Sequence, residues 1–318
     1  MRTALLFPGQ ASQYVGMGAD LCEGFPAARE MYTIAGEVLG YDLAALSFGG
    51  PAERLVQTIH TQPAIFVHSC VMFRLAAERG LGFDFAAGHS LGEYSALVAA
   101  GVLSFADGLV AVKKRAQFMQ EACDANPGTM AAVLGLGLDE VQDVCTRASR
   151  HGEVVVVANY NAEKQIAISG SIAGIEVASA LARDKGAKRV IPLAVGGAFH
   201  SPLMHPSPER LKPVLDTLAF HPARHPVVLN VTAEPVTDPE TIKSRLIDQL
   251  IRPVLWYPAL QRLRREQVVR LVEVGPKKVL LGLAKSVLDG AELLSLDTVA
   301  DLTAWAESAA GIPAAPAS

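Results

Sequence analysis

Residues 85–100, FAAGHSLGEYSALVAA, decide the fold of this chain. Residues 85–87 are small or apolar and predict a buried strand, whereas residues 93–100 favour a helix. Between them, residues 88–92 (GHSLG) form the G-x-S-x-G pattern of a nucleophile elbow, a strained strand-to-helix turn that exposes a serine hydroxyl. The positive end of the following helix would lie beneath Ser90. The alternative interpretation is a serine that only caps that helix.

The composition predicts a globular protein with a substantial core. The 318 residues suggest one large or two modest domains, half of them are hydrophobic, 19% are charged and the net charge is −4. No basic cluster with interleaved aromatic residues supports nucleic-acid binding. No apolar run approaches the ~20 residues of a membrane span. The apolar run in the N-terminal MRTALLFPGQ is too short for the core of a signal peptide and breaks at Pro8-Gly9, so it is predicted to be the first strand and a cytoplasmic protein is expected.

The cysteines show no metal-binding or disulfide pattern. They lack C-x-x-C spacing and are predicted to be small core residues in a reducing compartment. They are Cys22, Cys70, Cys123 and Cys145.

Strands and helices alternate along most of the chain. A strand is predicted over Thr3–Phe7, and helices over Phe25–Leu39, Gln62–Arg79 and about Phe105–Asp124. Further core strands are predicted in FAAG before the elbow and in VVLN and RLVEV near the C-terminus. This order predicts an α/β fold with an α/β-hydrolase-like core, a parallel sheet flanked by helices.

Local signals predict where two of these helices begin and end. Thr61 is a plausible N-cap of the second helix, with Pro63 in its first turn and Gly80 as its C-terminal stop. Ser104 and Asp107 resemble a capping box for the third helix.

The pattern changes between Thr129 and Leu193. There a strand (MAAVLGL), an amphipathic helix (LDEVQDVCTRASR), two strands (EVVVVANY and KQIAISG), a helix over Ser171–Lys185 and a last strand (AKRVIPL) follow one another. The order β-α-β-β-α-β is the ferredoxin-like plan. We therefore predict a catalytic domain of residues 1–128 and 194–310 with a ferredoxin-like subdomain at 129–193. The last residues, 311–318, are predicted to be a disordered tail.

A nucleophilic serine needs a base, and the chain has eight histidines. Four of them, His60, His68, His151 and His205, lie in helical or polar surface contexts that suggest no chemistry. His89 adjoins the serine, but its side chain should point away from Ser90 in an elbow. His200 lies in a glycine-loosened loop, VGGAFHSPLM, and is only slightly favoured over His221 in a proline-rich connector.

A hydrolase triad would also need a carboxylate between serine and histidine. The aspartates in that interval all lie in helical stretches with surface-like spacing: Asp107, Asp124, Asp139, Asp143 and Asp184. The ordinary hydrolase interpretation therefore lacks an acid. Gln249 offers a substitute, because Arg252-Pro253 ends its helix and frees carbonyl groups that could orient a histidine.

Two further features suggest how a substrate could be held. The backbone N–H of Leu91 and the loop of residues 7–10 (FPGQ) could form an oxyanion hole, although that loop is equally well explained as a turn. Arg115 shares a helix face with apolar residues, although neighbouring lysines would also fit a solvated charge run. A buried arginine needs an anionic partner, and a substrate carboxylate fits its planar fork.

Together these segments resemble the malonyl-CoA:acyl carrier protein transacylase family. The matching stretches run in family order from the first strand to about residue 283: LLFPGQASQYVGMG, TQPAIF, AAGHSLGEYSALVAAG, KKRAQFMQEA, MAAVLGL, NYNAEKQIAISG, GGAFHSPLM, QLIRPVLW and VEVGPKKVLLGL. The same domain recurs in polyketide and fatty-acid synthases, and here we expect the discrete enzyme.

The resemblance implies roles for particular residues. They are Ser90 as the acylated serine, His200 as general base, Gln10 and Leu91 as oxyanion-hole amides, Arg115 as the ligand of the malonyl carboxylate and Gln249 as the source of the histidine-orienting carbonyl. Phe199 before His200 is similar to the malonyl-selective form of this loop, where methylmalonyl-selective relatives tend to carry serine. Ala11 departs from the family, because many relatives have glycine there and alanine is comfortable only at negative φ.

The implied reaction is a ping-pong transfer of malonyl from malonyl-CoA to the phosphopantetheine thiol of holo-acyl carrier protein, for fatty-acid or polyketide synthesis, without metal or prosthetic group. A basic patch should receive the acidic carrier protein, with Lys277, Lys278, Lys188 and Arg189 as candidates, and a monomer is plausible. Two alternatives remain open at this point. A serine esterase or thioesterase would have a catalytic acid, and a non-catalytic carrier-binding subunit would not need Ser90, His200 and Arg115.

Overall fold

The computed structural model describes residues 1–309, so the predicted tail lies outside the described residues. The strands are β1 (Arg2–Phe7), β2 (Phe85–Gly88), β3 (Gly128–Leu134), β4 (Val155–Ala162), β5 (Gln165–Ser171), β6 (Arg189–Pro192), β7 (Val227–Val228), β8 (Pro235–Val236), β9 (Val268–Val274) and β10 (Glu292–Leu296). The helices are α1 (Ala19–Gly24), α2 (Pro26–Leu39), α3 (Leu43–Gly49), α4 (Ala52–Leu55), α5 (Thr58–Ala77), α6 (Gly92–Ala99), α7 (Phe105–Ala125), α8 (Leu138–Ala148), α9 (Ile172–Asp184), α10 (Ser207–Asp216), α11 (Pro239–Asp248), α12 (Trp256–Arg265), α13 (Val279–Ala284) and α14 (Val299–Ala309).

The main sheet has the strand order β10-β9-β1-β2-β7-β8. Neighbouring strands are parallel except β7 and β8, which form an antiparallel pair. The central strand β1 is buried on both faces, because Leu5 and Phe7 belong to one hydrophobic core and Ala4 and Leu6 to the other. Continuous burial of this kind is typical of a parallel sheet covered by helices on both sides.

The inserted segment forms a separate four-stranded antiparallel sheet in the order β4-β5-β3-β6. Its helices α8 and α9 pack on it around a core of their own. This confirms the predicted fold, a parallel α/β core with a ferredoxin-like insert. The two parts meet where Val254 bridges to Asn159 of β4. The domain boundaries given above stay a prediction.

The predicted start of α5 was wrong. The helix begins at Thr58 after Gln57, so Thr61 lies within it and Pro63 is inside the helix rather than in its first turn. A proline inside a helix removes one backbone hydrogen bond and crowds the carbonyl group four residues earlier. Burial of α5 along most of its length offsets this cost. Gly80, with φ of +89°, follows the helix as expected.

The predicted cap of α7 is confirmed, since the Ser104 side chain accepts the N–H of Asp107. None of the helices in the described part of the chain is long and apolar enough to cross a membrane. Cys70, Cys123 and Cys145 are buried and Cys22 is half-buried, and all four are free thiols.

Candidate active site

The site lies at the carboxyl edge of the main sheet, where β1 and β2 end side by side. Phe7 pairs with Gly88, so the loops that follow these strands meet. The contact is close, because a Cβ on Gly9 would lie 2.4 Å from the carbonyl oxygen of His89. Ser90 has a φ of +52°, the strained conformation that the elbow requires.

Ser90 and His200 are hydrogen-bonded. The serine Oγ lies 2.8 Å from His200 Nε2, and His200 Nδ1 lies 2.7 Å from the backbone carbonyl oxygen of Gln249. A carbonyl oxygen only accepts, so Nδ1 carries the ring proton and Nε2 accepts the serine hydroxyl proton. The histidine is thus held in the tautomer that a general base needs.

His221, the alternative base, is exposed and is not among the residues that line the site. The five aspartates considered as a third triad member are absent from that lining as well. The Gln249 carbonyl therefore occupies the place of a triad acid. Of the histidines expected on the surface, His60 and His68 are in fact buried, since α5 is enclosed by its neighbours.

Burial lowers the pKa of His200 to about 3, with a smaller contribution from the positive charge of Arg115. The hydrogen bond from Nδ1 to the Gln249 carbonyl opposes this shift. His200 therefore stays neutral, and able to accept a proton, even at a pH well below 6.

Two residues that line the cavity have a backbone N–H without a partner in the described part of the chain. Gln10 and Leu91 both line the cavity, and within residues 1–309 neither N–H donates to another protein group. Unpaired donors directed at a reaction site are what an oxyanion hole provides.

Arg115 is almost fully buried, with 1% of its surface exposed. Its Nη1 donates to Gln62 Oε1 at 2.6 Å, and its Nη2 donates to Gln249 Oε1 at 2.9 Å and to Ser90 Oγ at 3.0 Å. The guanidinium also lies 5.7 Å from the ring centroid of Tyr94. Among residues 1–309, no carboxylate forms an ion pair with it. A buried cation beside the serine is left without an anion.

Sequence reasoning missed a polar cluster directly behind Ser90. Glu93 has none of its surface exposed, and its Oε2 accepts from Gln249 Nε2 at 2.7 Å and from the Asn230 N–H at 3.2 Å. Asn230 Oδ1 accepts the Ser90 N–H at 2.7 Å. Burial raises the pKa of Glu93 to about 7, against the lowering effect of these hydrogen bonds and of Arg115. Asn230 is the last residue of the predicted strand VVLN, and this position at a strand's carboxyl end was the available signal.

His89 turns away from the serine, as expected. Its Nε2 lies 2.8 Å from Asn161 Oδ1 at the end of β4, and its ring packs edge-on against Trp256. His89, in the elbow that follows β2 of the main sheet, therefore contacts β4 of the insert.

A cavity of about 380 Å³ opens over Ser90 between the two sheets. Phe199 lies in its wall beside His200. Its lining comes from both parts of the fold: Gln10, Gln62, Ser90, Leu91, Arg115 and His200 from the main domain, and Met130, Ala132, Asn159, Asn161, Gln165 and Ala167 from the insert. Within the described residues no cluster of three or more His, Cys, Asp or Glu side chains is arranged to hold a metal ion.

The chain is similar to known acyl transferases along nearly its whole length. Residues 4–302 match the model of the acyl transferase domain family. The chain is 47% identical over 286 residues to malonyl CoA-acyl carrier protein transacylase of Bacillus subtilis (strain 168), covering 90% of each protein, and 41% identical to that of Staphylococcus aureus (strain MRSA252), covering 96% of this chain and 99% of that one.

Solved structures agree. An acyl carrier protein S-malonyltransferase from Vibrio cholerae superposes with a TM-score of 0.92 at 42% identity, covering 96% of this chain and all of that one. A malonyl-transacylase solved in complex with a type II PKS acyl-carrier protein superposes with a TM-score of 0.93 at 37% identity, covering 97% of this chain and all of that one. With its Ser90–His200 pair in the shared fold, the chain belongs to the acyl transferase family, in the group of the malonyl CoA-acyl carrier protein transacylases.

Proposed function

We propose that this enzyme transfers the malonyl group of malonyl-CoA to the phosphopantetheine thiol of holo-acyl carrier protein through a malonyl ester on Ser90. The product would supply extender units for fatty-acid or polyketide synthesis. The names of its relatives support the substrates, and the buried guanidinium of Arg115 beside Ser90 is the observation that carries the choice of an acyl group with a free carboxylate.

In the first half-reaction His200 Nε2 takes the Ser90 hydroxyl proton while Oγ attacks the thioester carbonyl carbon. The negative charge that develops on the carbonyl oxygen is stabilised by the N–H groups of Gln10 and Leu91. The carbon–sulfur bond then breaks, the proton on His200 passes to the sulfur, and CoA leaves as a thiol. A malonyl-serine ester remains.

In the second half-reaction the phosphopantetheine thiol gives its proton to His200 and attacks the ester by the same route in reverse. Ser90 recovers its proton, and malonyl is released as a thioester of the carrier protein. Neither half-reaction needs a metal or a prosthetic group. All of the groups named come from one chain, which supports the proposal that the enzyme acts as a monomer.

Arg115 is the proposed ligand of the malonyl carboxylate. Its guanidinium donates to uncharged oxygens of Gln62, Gln249 and Ser90. A carboxylate accepting two of its N–H groups would form a stronger, charge-assisted pair. Phe199 in the cavity wall is proposed to limit the space beside the acyl α-carbon and so to disfavour a methylmalonyl group.

The carrier protein is proposed to approach where Lys277 and Lys278 are exposed, immediately before Val279, which lines the cavity. Lys188 and Arg189 are exposed at the start of β6, the edge strand of the insert. Positive charge on these surfaces would attract an acidic partner.

Arg115 variants test this function. Arg115→Ala should lower kcat/KM for malonyl-CoA at least tenfold, because a charge-assisted hydrogen bond contributes roughly 1.5–3 kcal/mol. Acetyl-CoA has no distal carboxylate, so its transfer should be no worse than in the parent enzyme. Arg115→Lys should be intermediate, since it keeps the charge without the two-point geometry. Equal losses on both substrates would contradict the proposed role.

The esterase alternative is less well supported. An esterase of the usual kind orients its histidine with a carboxylate, whereas His200 Nδ1 meets the Gln249 carbonyl. A water-accepting esterase would also have no use for a buried carboxylate ligand beside its serine.

A further inference from the structure

We propose that Glu93 is a positioning residue that sets the preference for a carboxylated acyl group, because it fixes the Gln249 side-chain amide and, through it, the guanidinium of Arg115. This inference rests on the proposed function and adds a residue that touches neither the substrate nor the reacting atoms.

The Gln249 amide lies between two kinds of neighbour. Its Nε2 faces three acceptors, namely Glu93 Oε2 at 2.7 Å, the Ser90 carbonyl oxygen at 3.0 Å and Asn230 Oδ1 at 3.4 Å. Its Oε1 accepts from Arg115 Nη2 at 2.9 Å. If the amide turned over, its NH₂ group would meet the guanidinium donor against donor, and its oxygen would meet three acceptors.

Glu93 contributes most to this choice. It makes the shortest of the three contacts, at 2.7 Å from Nε2. All three acceptors also receive a second hydrogen bond, because Glu93 Oε2 accepts the Asn230 N–H, Asn230 Oδ1 accepts the Ser90 N–H and the Ser90 carbonyl accepts the Glu93 N–H. Removing the Glu93 acceptor therefore leaves the amide held only by the two longer contacts.

Burial of the Glu93 carboxyl group costs folding free energy, which argues for a functional role of this side chain. Glu93 is completely enclosed, and its Oε1 has no hydrogen-bond partner among the described residues. Burying an incompletely satisfied acid disfavours folding. Its Oε2, by contrast, is the terminal acceptor of a chain that runs from Arg115 through Gln249. That chain keeps the guanidinium from rotating toward other acceptors and directs its fork at the cavity.

Three substitutions at Glu93 separate the effect of its side-chain length from the effect of its charge. Glu93→Gln keeps the chain length and an amide oxygen that can accept from Gln249, so it should retain malonyl transfer within about threefold. Glu93→Asp keeps the charge but is one methylene too short to reach Nε2. Glu93→Met has the parent's length and no acceptor. For both of the latter we expect KM for malonyl-CoA to rise about tenfold or more, the ratio that one hydrogen bond to a charged group represents.

The control substrate is acetyl-CoA, measured with each variant. The hydrogen-bonded chain from Glu93 through Gln249 acts on Arg115, which is proposed to bind only the malonyl carboxylate. Acetyl transfer by Glu93→Asp and Glu93→Met should therefore change by less than about threefold. Thermal unfolding of each variant identifies the folded samples, and the Met variant repeats the test if the Asp variant does not fold.

The outcomes are distinct. Equal losses on malonyl-CoA and acetyl-CoA would show a general structural role of Glu93 and overturn the inference. An unchanged KM for malonyl-CoA in both Glu93→Asp and Glu93→Met would overturn it as well. A malonyl loss in Glu93→Gln as large as in Glu93→Met would show that charge, not the amide's orientation, matters. If the parent enzyme itself formed no malonyl ester, the proposed function would fail first.

Discussion

Ser90 and His200, the two residues proposed to share the reacting proton, both have left-handed backbone conformations, with φ of +52° and +57°. Residues other than glycine adopt this backbone conformation at a cost in free energy. They persist in it where the surrounding structure holds them. Here the restraints are visible, since Asn230 fixes the Ser90 N–H and the Gln249 carbonyl fixes the His200 ring. With both backbones held in this way, Oγ and Nε2 lie 2.8 Å apart.

The low pKa of His200 predicts an unusual pH profile. Because burial and Arg115 lower that pKa to about 3, the base stays unprotonated through the mildly acidic range. We expect the single-turnover rate constant of malonyl-enzyme formation, measured by rapid quench, to change less than about twofold from pH 7.5 to pH 5. Glu93→Gln should keep this plateau, which separates His200 from the Glu93 carboxyl. A rate that halves near pH 6.5, the pKa of an ordinary histidine, would contradict the prediction.

Ala11 has a φ of +82°, although alanine favours negative φ. It follows Gln10 in the proposed oxyanion-hole loop, and its N–H donates to Gln13 Oε1 at 2.8 Å. We expect Ala11→Gly to raise the free energy of unfolding by about 0.5–1 kcal/mol, because relief of the left-handed strain exceeds the added entropy of the unfolded chain. Chemical denaturation measures the change. Ala194→Gly, at a loop alanine without positive φ, should give no gain, and equal gains in both would refute the explanation.

At the scale of elements, the elbow depends on how closely α6 packs against β1. A Cβ on Gly92 would lie 2.0 Å from the carbonyl oxygen of Phe7, and one on Gly88 would lie 1.9 Å from the carbonyl carbon of Gly92. No real Cβ approaches backbone atoms so closely. The two glycines are therefore required by the contact between strand and helix, in addition to the turn itself.

Gly92→Ala tests this requirement. We expect a marked fall in the melting temperature and loss of acylation, because α6 must move away from β1 and carry the Leu91 N–H with it. Gly82→Ala is the matched control, since a Cβ there would meet no atom within 4 Å, and it should match the parent in both measurements. A Gly92→Ala enzyme with full stability and activity would show that the strand and helix are less tightly coupled than the distances indicate.

At the scale of the whole molecule, the cavity exists because two sheets face each other across Ser90. Alternation of strands and helices predicted the parallel core, and the order of elements in residues 129–193 predicted the insert. Several elements were not predicted from the sequence, among them the two-residue strand β8 and helices α12 to α14. Strand β8 is too short to show a periodic pattern of its own, and its pairing with β7 defines it.

The site was predictable in part. The elbow and Arg115 have local signals, but the choice of His200 over His221 came from family resemblance, because a histidine's environment is set by residues far away in the chain. The contacts of Glu93, Asn230 and Gln62 were missed for the same reason. Glu93 and Asn230 are 137 residues apart, and no local periodicity reports such a pair.

The central claim is that Ser90 carries the malonyl group between the two half-reactions. Its most direct test is the intact mass of the enzyme after mixing with malonyl-CoA in the absence of carrier protein, for the parent and for Ser90→Ala. The account predicts one malonyl adduct per parent chain, matched by one equivalent of released CoA, and no adduct on a folded Ser90→Ala enzyme. An undiminished adduct on Ser90→Ala would contradict it.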